Sequence, residues 1–459
     1  MKRRTFLQTA TQTGAALITT LLSTPALSAD RIAGAGERVS VGLIGCGGRG
    51  RFLSRHLRTV PNVEFLGACD VYEKNCLAAR EEFGPRCRAY KDFRELLEQK
   101  DVDAVVIATP DHWHATATVL ACQAGKDVYV EKPLAHNIRE GRAMVKAARQ
   151  HNRIVQAGVQ QRSAEHFEEM RRIIASGELG PVHFVRVWNY RNIFPKGIGR
   201  RGNAEVPPGL DWDFWLGPAP AVPFSWNRFL FTYRWFWDYS GGVITDFGTH
   251  RFDSVHQAMG ADSPVAVAAA GRRFALDDDG EIPDVLQATY EYPGFVLSYE
   301  ACLLNAHGMG GRTPGRQYYG AVGAEDRPNG MAFYGTNGAL FADRLGFEIY
   351  PELKPRDTLE SAGGQGDPSG RFRMQRKEGS SPDSSALHLQ NFIECVRTRR
   401  KPVGDIEIGH RSTLVAHLGN IALKAGRRIR WDSAKEEIVG DAEAARLMAR
   451  AARKPWDLI

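Results

Sequence analysis

Three short segments of this chain carry residue types that chemistry on a small molecule requires. The first is Val39-Ser-Val-Gly-Leu-Ile-Gly45-Cys46-Gly47-Gly48-Arg49-Gly50, a G-x-G-x-x-G pattern closing an apolar run. Gly45 permits a tight turn, Gly47 lets backbone approach a pyrophosphate, and Gly50 lets a helix pack closely on its strand. The helix start then presents N–H groups to phosphate. Such a string is weak by itself, but Asp70 follows Gly50 by twenty residues at the end of the next apolar run. A carboxylate there accepts from a ribose 2′-hydroxyl and repels a 2′-phosphate, which favours NAD over NADP. The plainer alternative is that Asp70 caps the following loop.

The second segment has two parts, Thr109-Pro110-Asp111-His112-Trp113-His114 and Val130-Glu131-Lys132-Pro133, each ending a further apolar run. Thr109, Pro110, His112 and His114 are expected at the nicotinamide ribose, through backbone contact. Two histidines at i and i+2 also resemble a metal pair. No acidic or cysteine partner is patterned beside them, so no metal is expected. A lysine before proline at a strand end is held stiffly. Partial desolvation beside a positively charged nicotinamide ring would fit it for proton exchange with a hydroxyl. Its plain alternative is a surface lysine paired with Glu131.

The third segment is Gly241-Gly-Val-Ile-Thr-Asp246-Phe-Gly-Thr-His250-Arg-Phe-Asp253. On a helix, Asp246 and His250 meet on one face at i and i+4. A carboxylate beside an imidazole fixes its tautomer and raises its basicity, as a general base requires. Asp253 continues that face, and His256 reads as structural. A capped Asp–His pair in a core helix is the bland alternative.

The elements that must hold these segments follow from periodicity. Strands are expected at 39–44, 63–69, 102–108, 127–130 and 153–159, with helices at 49–59, 73–83, 92–99, 112–124 and 138–151 between them. This alternation defines βαβ units with a doubly wound parallel sheet. After about residue 162 the rhythm changes. A helix at 164–176 leads to strands at 182–189, 265–273, 285–292, 296–303, 330–334 and 347–350, an α/β domain with a large, mostly antiparallel open sheet. Helices return at 385–397, 409–425 and 441–453. The expected division is a nucleotide-binding domain at 38–162 and a substrate and oligomerisation domain at 163–459, whose final helices could pack back on the first.

The chain has 459 residues, 43% hydrophobic and 25% charged, which excludes disorder, collagen and coiled coil for the whole. Residues 1–29 read as a twin-arginine export leader: Lys2-Arg3-Arg4-Thr5-Phe6-Leu7, a short apolar stretch, then small residues. The stretch is too short to span about 30 Å of hydrocarbon, so no stable membrane anchor is expected. Losing Lys2, Arg3 and Arg4 with the leader lowers the net charge from +7 to +4, which does not suggest a nucleic-acid partner. Seven cysteines with no CxxC pair do not suggest a disulfide framework.

Taken together and in this order, the glycine turn, TPDHWH, EKP and GG-x-x-x-D-x-x-x-H resemble the Gfo/Idh/MocA oxidoreductases, glucose–fructose oxidoreductase and inositol dehydrogenase among them. The resemblance covers about residues 38–459. It implies a Rossmann domain plus an α/β domain whose open sheet often mediates homo-oligomers. It also implies Lys132, Asp246 and His250 as the polar catalytic positions. The sequence departs from the simplest members in its leader, in loops at 305–329 and 351–382, and in an aromatic block at 211–237 with Trp212, Trp215, Trp226, Trp235 and Trp237. Indoles stack on sugar rings, although packing beneath a long connection is the plainer role for most of them. Arg162, Asn189, Trp237 and Asp253 are candidates for a sugar pocket, with Arg191 and His307 behind them.

These features predict an NAD-dependent oxidation of a secondary hydroxyl on a sugar or sugar derivative in the periplasm, with the cofactor retained. The resemblance offers an alternative, a redox-neutral glycosidase working by oxidation, elimination, hydration and reduction; no residue declares itself as its second base. A non-catalytic binding protein is the third reading.

Overall fold

Short apolar runs broken by glycine build a parallel sheet in the first part of the chain. Its strands are β1 (Val39–Ile44), β2 (Val63–Cys69), β3 (Arg88–Tyr90), β4 (Ala104–Ile107), β5 (Asp127–Val130) and β6 (Val155–Ala157), in the order β3-β2-β1-β4-β5-β6. Every residue of β4 and β5 is buried, as a sheet covered on both faces requires. The covering helices are α1 (Gly48–Leu57), α2 (Glu73–Phe83), α3 (Phe93–Leu97), α4 (Asp111–Gln123) and α5 (Ile138–Gln150). Strand order reverses between β1 and β4, which opens a crevice at their carboxyl ends. The computed structural model describes residues 38–307, 327–354 and 372–457. The leader expected at 1–29 and most of both long loops lie outside the described residues.

The second part follows α6 (Glu165–Ala175) and β7 (Val182–Tyr190), then α7 (Trp212–Leu216), α8 (Val243–Asp246) and α9 (Gly248–Met259). Its sheet continues with β8 (Ala266–Arg272), β9 (Val285–Glu291), β10 (Val296–Cys302), β11 (Asn329–Gly335), β12 (Gly338–Ala342), β13 (Gly346–Pro351) and β14 (Glu378–Ser380). Helices α10 (Ser385–Thr398) and α11 (Ile406–Ala425) precede β15 (Ile429–Asp432), β16 (Glu437–Ile438) and α12 (Ala442–Arg446). The ten strands run in the order β14-β13-β12-β11-β7-β10-β9-β8-β15-β16. Only β7 and β10 pair parallel. Phe167 and Met170 of α6, Phe252 and Val255 of α9, and Leu414 and Leu418 of α11 pack on one face. The other face carries Phe184 stacked on Tyr334 and Arg186 bound to Glu300 at 2.6 Å.

Two features tie the parts together. Leu389, Phe392 and Ile393 of α10 complete the same buried cluster as Val41, Leu43 and Leu53 of the first domain. The aromatic segment packs as a core of its own, reaching Val71 and Tyr72. It is strapped to the loop after β2: Glu73 donates its N–H to the Gly209 carbonyl at 2.8 Å, Asp211 N–H to that of Val71 at 3.0 Å, and Lys91 pairs with Asp211.

The helix expected at 441–453 stops at Arg446. Beyond it, Arg450 donates to the Asp238 carbonyl and Arg453 to that of Gly217, while Trp456 packs against Trp113. These contacts with other elements pull the chain out of helical register. The segments expected at 102–108 and 153–159 also contribute shorter strands.

Candidate functional site

The glycine turn has the shape its spacing implied. Gly45 sits at φ +91°, and a Cβ there would lie 2.7 Å from the Ala108 backbone. A Cβ on Gly50 would lie 2.0 Å from the Gly45 carbonyl oxygen, so α1 can approach β1 only with glycine at that point. Gly47 and Gly48 face open space at the start of α1, whose N-cap makes no side-chain hydrogen bond. Unpaired N–H groups over an open cradle suit the diphosphate of a dinucleotide. Asp70 accepts from the N–H groups of Cys46 and Tyr72, each at 2.8 Å, and burial lifts its carboxyl to about 6. The Cys46 side chain is buried, with its thiol on the Cys69 carbonyl, so this residue serves the turn through its backbone.

A cavity of about 950 Å³ joins this turn to Thr109, Lys132, Asp246 and His250. Arg49 and Glu131 lie on its wall as an ion pair of 2.7 Å, and Gln160 adds a bond to Glu131 at 3.0 Å. Burial would raise Glu131, but Arg49 and Lys132 hold it below the usual carboxylate range. Lys132 precedes a cis Pro133. It reaches across to α8, where Nζ donates to Asp246 Oδ1 at 2.5 Å and to the Asp246 carbonyl at 3.0 Å.

This contact corrects the expected Asp246–His250 pair. The helix is interrupted at Phe247, so Asp246 ends α8 and His250 belongs to α9. Asp246 faces two cations, Lys132 and Arg234, the latter at 3.4 Å. Burial alone would raise its carboxyl, yet the two cations outweigh burial and keep it well below the ordinary range. His250 has no carboxylate to raise its basicity. Burial and the neighbouring cations, Lys132 first, push it well below its usual value, and its Nδ1 has no partner. It stands in the cavity as a neutral imidazole.

Several expected site residues are instead supports. His112 binds the Trp215 carbonyl through Nε2 at 3.0 Å, and burial pushes it down to about 3. His114 bridges the carbonyls of Pro133 and Thr109 at 2.8 and 3.0 Å, fixing both loops from behind. Pro110 starts α4 and does line the cavity. Arg162 and Asp253 form a buried pair at 2.8 Å, with Ser412 also bonded to Asp253, so neither is presented to a ligand. The Trp237 ring lies under Lys424 at 3.9 Å. His256 is structural, bonded to the Tyr292 hydroxyl. His307 is exposed at the edge of the described residues, away from both cavities. Asn189 and Arg191 line a second, smaller cavity.

Sequence reasoning missed Arg234 and Gln160. Arg234 carried a signal: it is the one charged residue in Phe229-Leu-Phe-Thr-Tyr-Arg-Trp-Phe-Trp237. Among the described residues no group of three His, Cys, Asp or Glu side chains is placed to hold a metal, no helix is long and apolar enough to cross a membrane, and all seven cysteines are free.

A Rossmann crevice opening on a lysine–carboxylate contact and a neutral imidazole defines a nucleotide-dependent oxidoreductase. Residues 39–159 match the family model described as "Oxidoreductase family, NAD-binding Rossmann fold", and 164–292 with 371–458 match its "C-terminal alpha/beta domain". The chain belongs to the Gfo/Idh/MocA oxidoreductases and binds NAD. It is 23% identical to the myo-inositol 2-dehydrogenase of Thermotoga maritima, over 87% of this chain and 99% of that one. Identity to the scyllo-inositol 2-dehydrogenase (NAD(+)) of Bacillus subtilis is 24%, over 80% and 89%. The fold is also that of the aldose-aldose oxidoreductase of Caulobacter crescentus, with TM-score 0.61, 18% identity and coverage of 86% and 99%.

Proposed function

We propose that this chain oxidises a secondary hydroxyl of a sugar or cyclitol with hydride transfer to an NAD it keeps bound, and that the carbonyl of a second sugar takes that hydride and the proton back to regenerate the cofactor. The observation that carries the reading is the Lys132–Asp246 contact beside His250, in the same cavity as Asp70 and the glycine turn. Bound NAD supplies the hydride acceptor. Lys132, held by Asp246, donates a hydrogen bond to the reacting hydroxyl oxygen and fixes its position. His250, held in the unprotonated form a base needs, takes the hydroxyl proton as the carbonyl forms. Arg234 keeps Asp246 ionised, so Lys132 keeps its anchor through the cycle.

The substrate class rests on the inositol and aldose relatives. Retention of the cofactor rests on the strap, whose bonds from Gly209 and Asp211 cover the loop that carries Asp70. The leader at 1–29 supports export by the twin-arginine route to the periplasm after folding, where free NAD is scarce. The aromatic outer face of the large sheet supports a homo-oligomer.

The test is to dialyse the purified protein, denature it and quantify the released dinucleotide, then assay cofactor reduction with inositols and aldoses. Near one NAD per chain, with reduction by a polyol, is expected. An empty protein that binds added NAD would overturn retention, and one that binds no NAD would overturn the whole reading.

A further inference from the structure

Two cavities adjoin at Arg234, Asp246 and Phe247. These residues line the main cavity and also a second one of about 490 Å³, whose remaining wall includes Asn189, Arg191 and Trp235. Asn189 stands near the end of β7 and is 5% exposed, yet neither its amide nitrogen nor its oxygen has a partner. Trp235 is 6% exposed, and its indole N–H has none either. Trp113, Trp188 and Trp212 donate theirs to backbone carbonyls, while the indole N–H of Trp431, packed in the sheet core, is also without a partner. Buried polar groups left unpaired are costly and rare in native chains. Two on the wall of one cavity, beside the reacting centre, point to a ligand that completes them.

The chemistry of that ligand follows from the groups. An amide offers one donor and one acceptor side by side, which matches a pair of neighbouring hydroxyls, and the indole N–H adds a donor for another oxygen. Val243, Ile282 and Leu303 give the same cavity an apolar side suited to ring C–H groups. A simple cyclitol or hexose reacting at Lys132 would leave this space empty. We infer that the second cavity is a subsite for a further sugar residue, so that the substrate is a disaccharide or similar glycoside, with one ring at Lys132 and the other bound by Asn189 and Trp235. This rests on the dehydrogenase reading above for what happens to the first ring, but not for the binding of the second.

The experiment uses the full chain loaded with NAD. Glucose, galactose and their methyl glycosides are compared with cellobiose, maltose and lactose, both by shift in Tm at equal concentration and by the second-order rate constant for single-turnover reduction of the bound cofactor. At least one disaccharide is expected to give the larger Tm shift and a rate constant about tenfold above its monosaccharide. Trp235→Phe keeps the ring and removes only the donor; with Asn189→Leu, it is expected to cut that disaccharide-to-monosaccharide ratio about fivefold. If Asn189→Leu does not fold, Trp235→Phe decides. Monosaccharides oxidised as well as disaccharides, or a ratio unmoved by Trp235→Phe, would overturn the subsite and leave the dehydrogenase reading standing. A disaccharide Tm shift lost in Trp235→Phe, without turnover of any sugar, would uphold the subsite and sink the redox reading. No disaccharide effect on either readout overturns the inference.

Discussion

Lys132 Nζ lies 2.5 Å from Asp246 Oδ1 across 114 residues of chain, joining the end of β5 to the end of α8. Both side chains are 14% exposed, so neither charge is well solvated. Removing one partner of such a pair strands the other. Asp246→Asn deprives both Lys132 and Arg234 of their counter-charge, whereas Lys132→Met leaves Asp246 with Arg234. Asp246→Asn is therefore expected to be the more destabilising, by about 3 kcal/mol against wild type. The double variant should be more stable than Asp246→Asn alone. Thermal unfolding of the three proteins checks the order; Lys132→Met as the least stable would contradict it.

His250 has no side-chain partner to lose, so its replacement separates chemistry from folding. His250→Gln is expected to lower kcat by about 10²- to 10⁴-fold, the range for a general base. Bound NAD per chain and Tm should stay near the wild-type values. Full activity in this variant would remove His250 from the proton path.

At the cofactor turn, Gly50→Ala forces a methyl against the Gly45 carbonyl. The variant is expected to purify without NAD. Asp70→Ser should keep the fold but weaken NAD by at least about tenfold, one lost charge-assisted contact, and narrow its advantage over NADP. Titration of the emptied proteins with both dinucleotides measures this, and unchanged selectivity would show that Asp70 serves only its loop.

Buried histidines set the response to acid. Burial pushes His112 and His256 down to about 3 and His388 and His417 to about 4. Unfolded, each titrates near 6.5. Between these values the unfolded chain binds protons that the folded chain refuses, so stability is complete above about pH 6.5 and falls toward pH 4. The slope is about 1.4 kcal/mol per pH unit for each histidine. Asp70, raised to about 6, acts oppositely, losing its contribution as pH rises from about 4 to 6. Glu140 and Asp253, also raised by burial, act with Asp70, but the depressed histidines, which include His136, His250 and His410, outnumber these carboxylates. Urea midpoints should therefore drop steeply from pH 7 to pH 5, and a flat profile would contradict the burial of these imidazoles.

Much of the nucleotide domain was legible because strands buried on both faces read as short, mainly apolar runs between helical stretches. Val39–Ile44, Val63–Cys69 and Asp127–Val130 fall where the sequence put them. Arg88–Tyr90 and Glu378–Ser380 did not declare themselves: each is a three-residue edge strand with little apolar character. At the site, residue types were readable but partners were not. The i, i+4 spacing of Asp246 and His250 says nothing of a helix break at Phe247 or of cations arriving from residues 132 and 234. Arg162 and Asp253 looked available for a ligand because each lacks a local partner in sequence. They pair with one another across 91 residues.

The helix α10 has a bearing on how the protein is made. Leu389, Phe392 and Ile393 close a core whose other walls come from Val41, Leu43 and Leu53. A ribosome releases those earlier residues long before α10 exists, so the growing chain carries an open apolar flank for most of its synthesis. The nucleotide domain cannot mature from the N-terminus onward as a self-sufficient unit. Its completion waits for a contact more than three hundred residues away, which makes folding late, slow and global.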